Sequence, residues 1–233
     1  PPPPPPPPPE TTTDSFNIHI DDSQGGSVAT TAQGITLNPV NDAPVWTLPG
    51  AQTLNEDQDH DVTGISLADA DLGAATLQVT ATVAHGTLTL VTTTGLTFVT
   101  GGNGTTTWTV SGTLADMAVA LAHITYRGQA NYNGSDSLIL YANDGGGSGS
   151  GGARVTAGSV ALTVQPVDDA PNMGNDGFAT AEDTALTMNL ATGLMLNDVD
   201  PDGGVLTFSS FTQPTQGTVV QVGATLVYTP VAQ

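Results

Sequence analysis

The sequence predicts an all-β chain built from repeated, sandwich-sized units with one short helix. Three observations predict it: a hinge that returns, a strand-forming composition, and turn glycines at short intervals. Asn38-Pro39-Val40-Asn41-Asp42-Ala43-Pro44 returns as Gln165-Pro166-Val167-Asp168-Asp169-Ala170-Pro171, 127 residues later, which is the length of one sandwich domain. Prolines on both sides of the acidic pair hold φ and remove backbone donors, so each copy ends a strand and forms a stiff junction. Thr, Ser and Gly abound while aromatics are 5%, a composition that suits short strands and turns better than helices.

Taken in order, Pro1 to Pro9 reads as a polyproline II rod, a spacer or ligand-like tail about 28 Å long at ~3.1 Å per residue. Asp14 to Asp22 alternates apolar and polar, Gly25-Gly26 turns the chain, and Val28 to Leu37 returns as a second strand. The same pattern recurs in Asp136 to Asp144, a glycine-rich loop, and Ala153 to Val164. After an N-terminal extension over 1–13, residues 14–41 are therefore the closing hairpin of an incomplete repeat. Residues 42–168 are a complete repeat and 169–233 the N-terminal part of another.

Within the complete repeat, strands are expected near Val62–Ser66, Thr76–Val83, Thr87–Val91, Leu96–Thr100 and Thr106–Val110, with Gly86, Gly95 and Gly101-Gly102 at turns. Thr113-Leu114-Ala115-Asp116 resembles a capping box, and Leu114, Met117, Ala118, Leu121 and Ala122 follow helical spacing, predicting a short helix over one end of the sandwich. Gly145 to Gly152 has linker composition, but its place between two strands makes it a hairpin loop. In the last part, strands are expected near Val205–Phe211, Gly217–Val222 and Ala224–Tyr228.

Charge narrows the function. With 22 acidic side chains against two basic ones, the formal net charge is −20, which disfavours nucleic acid and anionic membranes and favours a polycation or a divalent metal. The absence of cysteine removes disulfides and thiolate metal sites, and no apolar run reaches spanning length. His19, His60, His85 and His123 are scattered, and neither His-Glu-x-x-His, Gly-x-Ser-x-Gly nor a phosphate loop ending in Lys-Ser/Thr occurs. No enzyme is expected. Trp46, Trp108, Tyr126, Tyr132 and Tyr141 suit core packing better than a sugar-stacking platform.

Metal-ligand character is confined to the acidic clusters. Asp198-Val199-Asp200-Pro201-Asp202-Gly203 has the D-x-D-x-D-G spacing that aims alternate carboxylates at one centre, although Ser209 stands where an EF-hand loop would carry its twelfth-position glutamate. Two further landmarks repeat: Asn55-Glu56-Asp57 recurs as Ala181-Glu182-Asp183, and Asp69-Ala70-Asp71 as Asp198-Val199-Asp200.

The order Pro-Val-Asn-Asp-Ala-Pro, Asn-Glu-Asp, Asp-x-Asp resembles the cadherin-like tandem repeats of large bacterial surface adhesins over most of residues 14–233. That resemblance implies tandem Ig-like Greek-key sandwiches, secretion to the bacterial cell surface, and calcium at the junctions. It implies Asn41, Asp42, Glu56, Asp57, Asp69 and Asp71 as one ligand set, and Asp168, Asp169, Glu182, Asp183, Asp198, Asp200 and Asp202 as a second. Asp21, Asp22 and Asp144 end hairpin strands near a junction and are added candidates. Oxygen-only ligands favour a hard cation, and room for 6–8 of them favours Ca²⁺ over Mg²⁺.

The half-domains at the two ends are complementary. The expectation is a calcium-stabilised extracellular subunit whose C-terminal half-domain is completed by the N-terminal hairpin of the next molecule, giving a head-to-tail homopolymer by strand complementation, or else an adhesin stalk. The alternative is an adhesin module that binds a cell-surface glycan or protein. Neither nucleic acid nor membrane insertion is expected.

Overall fold

A computed structural model describes residues 12–26, 30–147 and 149–232. The expectations for Pro1–Pro9 and for the start of the strand at Val28 lie outside the described residues. The chain divides into two compact units, the first ending at Gln165 and the second beginning at Pro166.

The first unit opens with a hairpin, β1 (Thr12–Ile18) and β2 (Thr31–Leu37), that forms its own two-stranded sheet. The strands that follow are β3 (Val45–Thr47), β4 (Gln52–Asn55), β5 (Asp59–Thr63), β6 (Ser66–Ala68), β7 (Thr76–Thr82), β8 (Gly86–Leu90), β9 (Thr97–Thr100) and β10 (Thr107–Thr113). Helix α1 (Leu114–Leu121) leads to β11 (His123–Gly128), β12 (Gly134–Asn143) and β13 (Val155–Gln165). A six-stranded sheet, β4-β13-β12-β7-β10-β9, packs on a three-stranded sheet, β5-β11-β8.

Strict alternation builds the core between them. Leu77, Val79 and Ala81 of β7 face inward with Leu138, Leu140 and Ala142 of β12, and meet Leu88, Leu90, Ile124 and Tyr126 from the smaller sheet. The expected strand Val62–Ser66 is interrupted at Gly64, whose φ of +83° is open to glycine but strained for other residues. The chain thus leaves β5 and re-pairs as β6 with β3.

Helix α1 starts at the expected cap: Asp116 N–H donates to Thr113 Oγ1 at 3.2 Å, and the Thr113 hydroxyl donates to Asp116 Oδ2 at 2.6 Å. Its buried face is Met117, Ala120 and Leu121. Ala118, expected on that face, is exposed, because the helix packs through the i, i+3, i+4 stripe that begins at Met117.

The second unit holds β14 (Leu186–Asn189), a π-helical turn over Leu190–Leu194, β15 (Gly217–Val222) and β16 (Thr225–Pro230), in a sheet ordered β14-β16-β15. This sheet copies β5-β11-β8 residue for residue: Tyr228 pairs with Leu186 and Val219 as Tyr126 pairs with His60 and Leu88. The strand expected at Val205–Phe211 does not form, and Val205 is 93% exposed. Its counterpart β7 sits between β12 and β10. Among the described residues of the second unit neither neighbour has a counterpart, so the segment has no ladder to join.

Among the described residues no helix is long and apolar enough to cross a membrane.

Candidate metal centre

The acidic residues of the first hinge are ordered by short-range geometry. Asp69 Oδ1 accepts the N–H groups of Asp71 and Leu72 at 3.1 and 2.9 Å, the turn a short carboxylate makes with its own backbone. Asp71 Oδ2 accepts the N–H of Asp42 at 3.0 Å, tying the hinge to the turn that follows β6. Beside it, Asn41 donates its amide to Asp144 Oδ2 at 2.8 Å and to the Gly152 carbonyl at 2.9 Å. Asp144 Oδ1 accepts from the Gly146 and Arg154 N–H groups, both at 2.8 Å, closing the β12–β13 loop.

Asn41, Asp69, Asp71 and Asp144 are all buried. Burial pushes the Asp69 carboxyl above its ordinary value, and the neighbouring Asp71 carboxylate adds to the rise. Asp69 Oδ2 and Asp71 Oδ1 are buried with no hydrogen-bond partner. Two anionic oxygens out of water and unpaired are costly, and a cation would satisfy both. Both oxygens are hard donors of the kind a divalent cation takes. Among the described residues no three carboxylate, imidazole or thiolate groups already converge at metal-ligand spacing.

The second hinge repeats the arrangement. Asp202 Oδ2 accepts the N–H of Asp169 at 2.7 Å, and Asp200 Oδ1 accepts the N–H of Asp202 at 2.9 Å. These bonds pair Asp69 and Asp71 with Asp200 and Asp202, a register two residues later than the motif alignment with Asp198 and Asp200. Asp198 is the extra member, accepting the Gly174 N–H at 2.8 Å. Asp169, Asp198, Asp200 and Asp202 are half-buried, whereas Asp168, Glu182 and Asp183 are exposed.

The resemblance grouped Glu56 and Asp57 with Asn41, Asp42, Asp69 and Asp71, and the structure separates them. Glu56 donates its N–H to the Gln165 carbonyl at the far end of β13, while Asp144 pairs with Arg154 just before the near end. Eleven residues of strand lie between, about 37 Å at ~3.4 Å per residue. Asp57 Oδ1 accepts the N–H of Asn131 in the loop before β12. Sequence spacing missed this because β4 runs parallel to the end of β13 and carries the chain from the first hinge to the opposite end of the sandwich. Asp57 and Asp183 do share a signature invisible in residue identity, left-handed φ values of 58° and 57°.

Asp136, absent from every candidate set, accepts more hydrogen bonds than any other carboxylate among the described residues. It accepts from the N–H groups of Ala84 and His85 at 3.0 and 2.8 Å, and from the Tyr126 hydroxyl at 3.0 Å. Burial pushes its pKa up, but those donors and the Ser137 N–H outweigh burial and hold it below the ordinary value. Tyr126 is raised in turn, by burial first and then by the carboxylate it serves. Trp108 and Tyr126 are wholly buried, so the aromatic set offers no common surface to a sugar.

No curated protein matches this chain. Among solved structures, an endo-fucoidan hydrolase of glycoside hydrolase family 107 is 18% identical over 95% of this chain and 30% of its own, with a TM-score of 0.30. Domains 4–9 of the surface layer protein SbsC are 14% identical over 87% of this chain and 29% of their own, with a TM-score of 0.23. The chain spans under a third of either structure's length, and likeness of that size carries no inference about activity. One family model does match: residues 168–233, the second hinge and the unit that follows it, are similar to the bacterial Ig domain.

Proposed function

We propose that this chain is an extracellular structural repeat protein whose hinges are stiffened by Ca²⁺ and which assembles head to tail. The observation that carries the metal reading is the pair of buried, unpartnered oxygens, Asp69 Oδ2 and Asp71 Oδ1, in a cluster that recurs as Asp169, Asp200 and Asp202. In the first unit, Asp69 and Asp71 would hold the ion, with Asn41, Asp42 and Asp144 fixing the hinge around them. Asp200 and Asp202 would do so in the second, with Asp198 and the half-buried Asp169 beside them. A bound ion supplies charge neutralisation: it removes carboxylate repulsion and ties the hinge to the turn that opens the next domain. Glu56, Asp57, Asp168, Glu182 and Asp183 are outside these two sets.

A surface role is supported by the Ig-like match over residues 168–233 and by the strong acidity, which keeps such chains soluble and self-repelling without metal. Calorimetric titration of the metal-free full chain with Ca²⁺, and separately with Mg²⁺, tests the reading. Saturable Ca²⁺ binding that Mg²⁺ does not reproduce supports it; no binding heat and no displacement of a calcium dye overturns it.

A further inference from the structure

Two surfaces of this protein repeat the two sides of a contact that is buried within the first unit. The first is the hairpin β1–β2. Its register pairs Asp14 with Ile35 and Thr12 with Leu37, which puts Phe16, Ile18, Ile35 and Leu37 on one face. All four are exposed. A two-stranded hairpin is marginally stable by itself, and an uncovered apolar face on one is a docking surface or a hazard.

This hairpin duplicates β12–β13. Asp136 pairs with Leu162 and Gly134 with Val164, the same offsets as Asp14 with Ile35 and Thr12 with Leu37. At the turn, Asp22 donates its N–H to the Gly26 carbonyl and takes the Gly26 N–H on Oδ1, as Asp144 does with Arg154. Asp14 therefore stands where Asp136 stands, and Phe16, Ile18, Ile35 and Leu37 stand where Leu138, Leu140, Leu162 and Val164 cover the β5-β11-β8 sheet.

The second surface is the same sheet in the second unit, where Leu186, Met188, Val219 and Tyr228 are only half-buried. Leu186, Met188, Val219 and Tyr228 line a groove of about 440 Å³ with Phe178 and Pro214. The positions of Met188, Val219 and Tyr228 correspond to Val62, Leu88 and Tyr126, each wholly buried in the first unit. The notch around Asp136 is also copied. A Cβ on Gly86 would strike the Tyr126 ring and the Arg127 carbonyl, and one on Gly217 would strike the Tyr228 ring and the Thr229 carbonyl. The Tyr228 hydroxyl donates to Gln216 O at 2.8 Å, as Tyr126 donates to His85 O at 3.3 Å. Among the described residues, no carboxylate meets the Tyr228 hydroxyl, and the N–H groups of Thr215 and Gln216, counterparts of Ala84 and His85, have no acceptor.

The geometry points to a second copy of this chain as the occupant: its β1–β2 hairpin closes the groove of the second unit, with Asp14 accepting from the Tyr228 hydroxyl and the Thr215 and Gln216 N–H groups. This rests on the head-to-tail assembly proposed above and names its contact. The apolar face supplies area, while the carboxylate fixes register, since a slip of one residue would send Phe16 and Ile18 to solvent.

Sedimentation velocity of the full chain over a range of concentrations, in millimolar Ca²⁺, tests it. The wild type is expected to associate. Asp14→Asn and Tyr228→Phe should each weaken association about tenfold, the double variant little further because both remove one charge-assisted contact. Ile35→Thr should weaken it too, and Asn17→Ala, on the opposite face, should not. A wild type that stays monomeric overturns the assembly and the contact together. Association that Asp14→Asn and Tyr228→Phe leave unchanged overturns the contact while the assembly stands.

Discussion

Asp42 gives its backbone N–H to Asp71 Oδ2 at 3.0 Å, and Asp169 gives its N–H to Asp202 Oδ2 at 2.7 Å. One bond thus locks each hinge to the turn that follows it, and at the first hinge the other oxygen of that carboxylate, Asp71 Oδ1, is buried without a hydrogen-bond partner. Asp71→Asn keeps an acceptor for Asp42 but removes one anionic charge. Calcium affinity at the first hinge should fall by about tenfold or more, since charge count tunes such sites, while the metal-free fold is retained. Titration calorimetry against Asp202→Asn separates the two hinges.

The raised Asp69 carboxyl sets a pH dependence for metal-free protein. Its folded pKa lies above the unfolded value, so its ionisation costs stability at neutral pH, and protonation recovers that stability as the pH falls through the folded pKa towards 3.8. Asp69→Asn should therefore unfold at higher denaturant than wild type at pH 7 without calcium, and the advantage should vanish below the unfolded value. Urea melts at several pH values measure it. With calcium the sign reverses, because the ion needs the charge that the variant lacks.

Asp136 behaves in the opposite sense. Its pKa is depressed, so its contribution is present above about 3.8 and is lost as the pH falls through the folded value. Asp136→Asn should cost on the order of 1–3 kcal/mol at pH 7, since two backbone donors and the Tyr126 hydroxyl lose their charged acceptor. The difference from wild type should close in acid.

Gly86 is required by contact rather than by φ. An added Cβ would lie 2.5 Å from both the Tyr126 ring and the Arg127 carbonyl, so Gly86→Ala should destabilise by about 1–3 kcal/mol through overpacking. Equilibrium denaturation checks it. Gly102→Ala, where a Cβ meets nothing within 4 Å, is the control.

Much of this fold was legible because alternation and turn glycines are local signals: β7, β8, β9 and β10 lie where Leu77, Leu88, Phe98 and Trp108 alternate with threonines. The strand expected at Val205–Phe211 has the same alternation but lacks its neighbours, and a ladder is not a local property. The grouping of the candidate residues was not legible. Motif order placed Glu56 beside Asp69, whereas β4, running parallel to the end of β13, carries Glu56 to the far end of the sandwich. Asp136 carried no motif at all; only the register of β12 against the Tyr126 corner makes it central. The chance to find it was the repeat itself, since Asp14-Ser15 and Asp136-Ser137 open both hairpins.

The most direct measurement is thermal unfolding of the full chain by calorimetry, first with excess chelator and then with Ca²⁺ at about a hundred times its dissociation constant. Hinges that bind the ion only when folded should gain roughly 2.7 kcal/mol per site, raising the first unit's Tm by about 5–10 °C. Asp69→Asn combined with Asp71→Asn should abolish that rise. A wild-type Tm that is the same in chelator and in calcium would contradict calcium at these hinges.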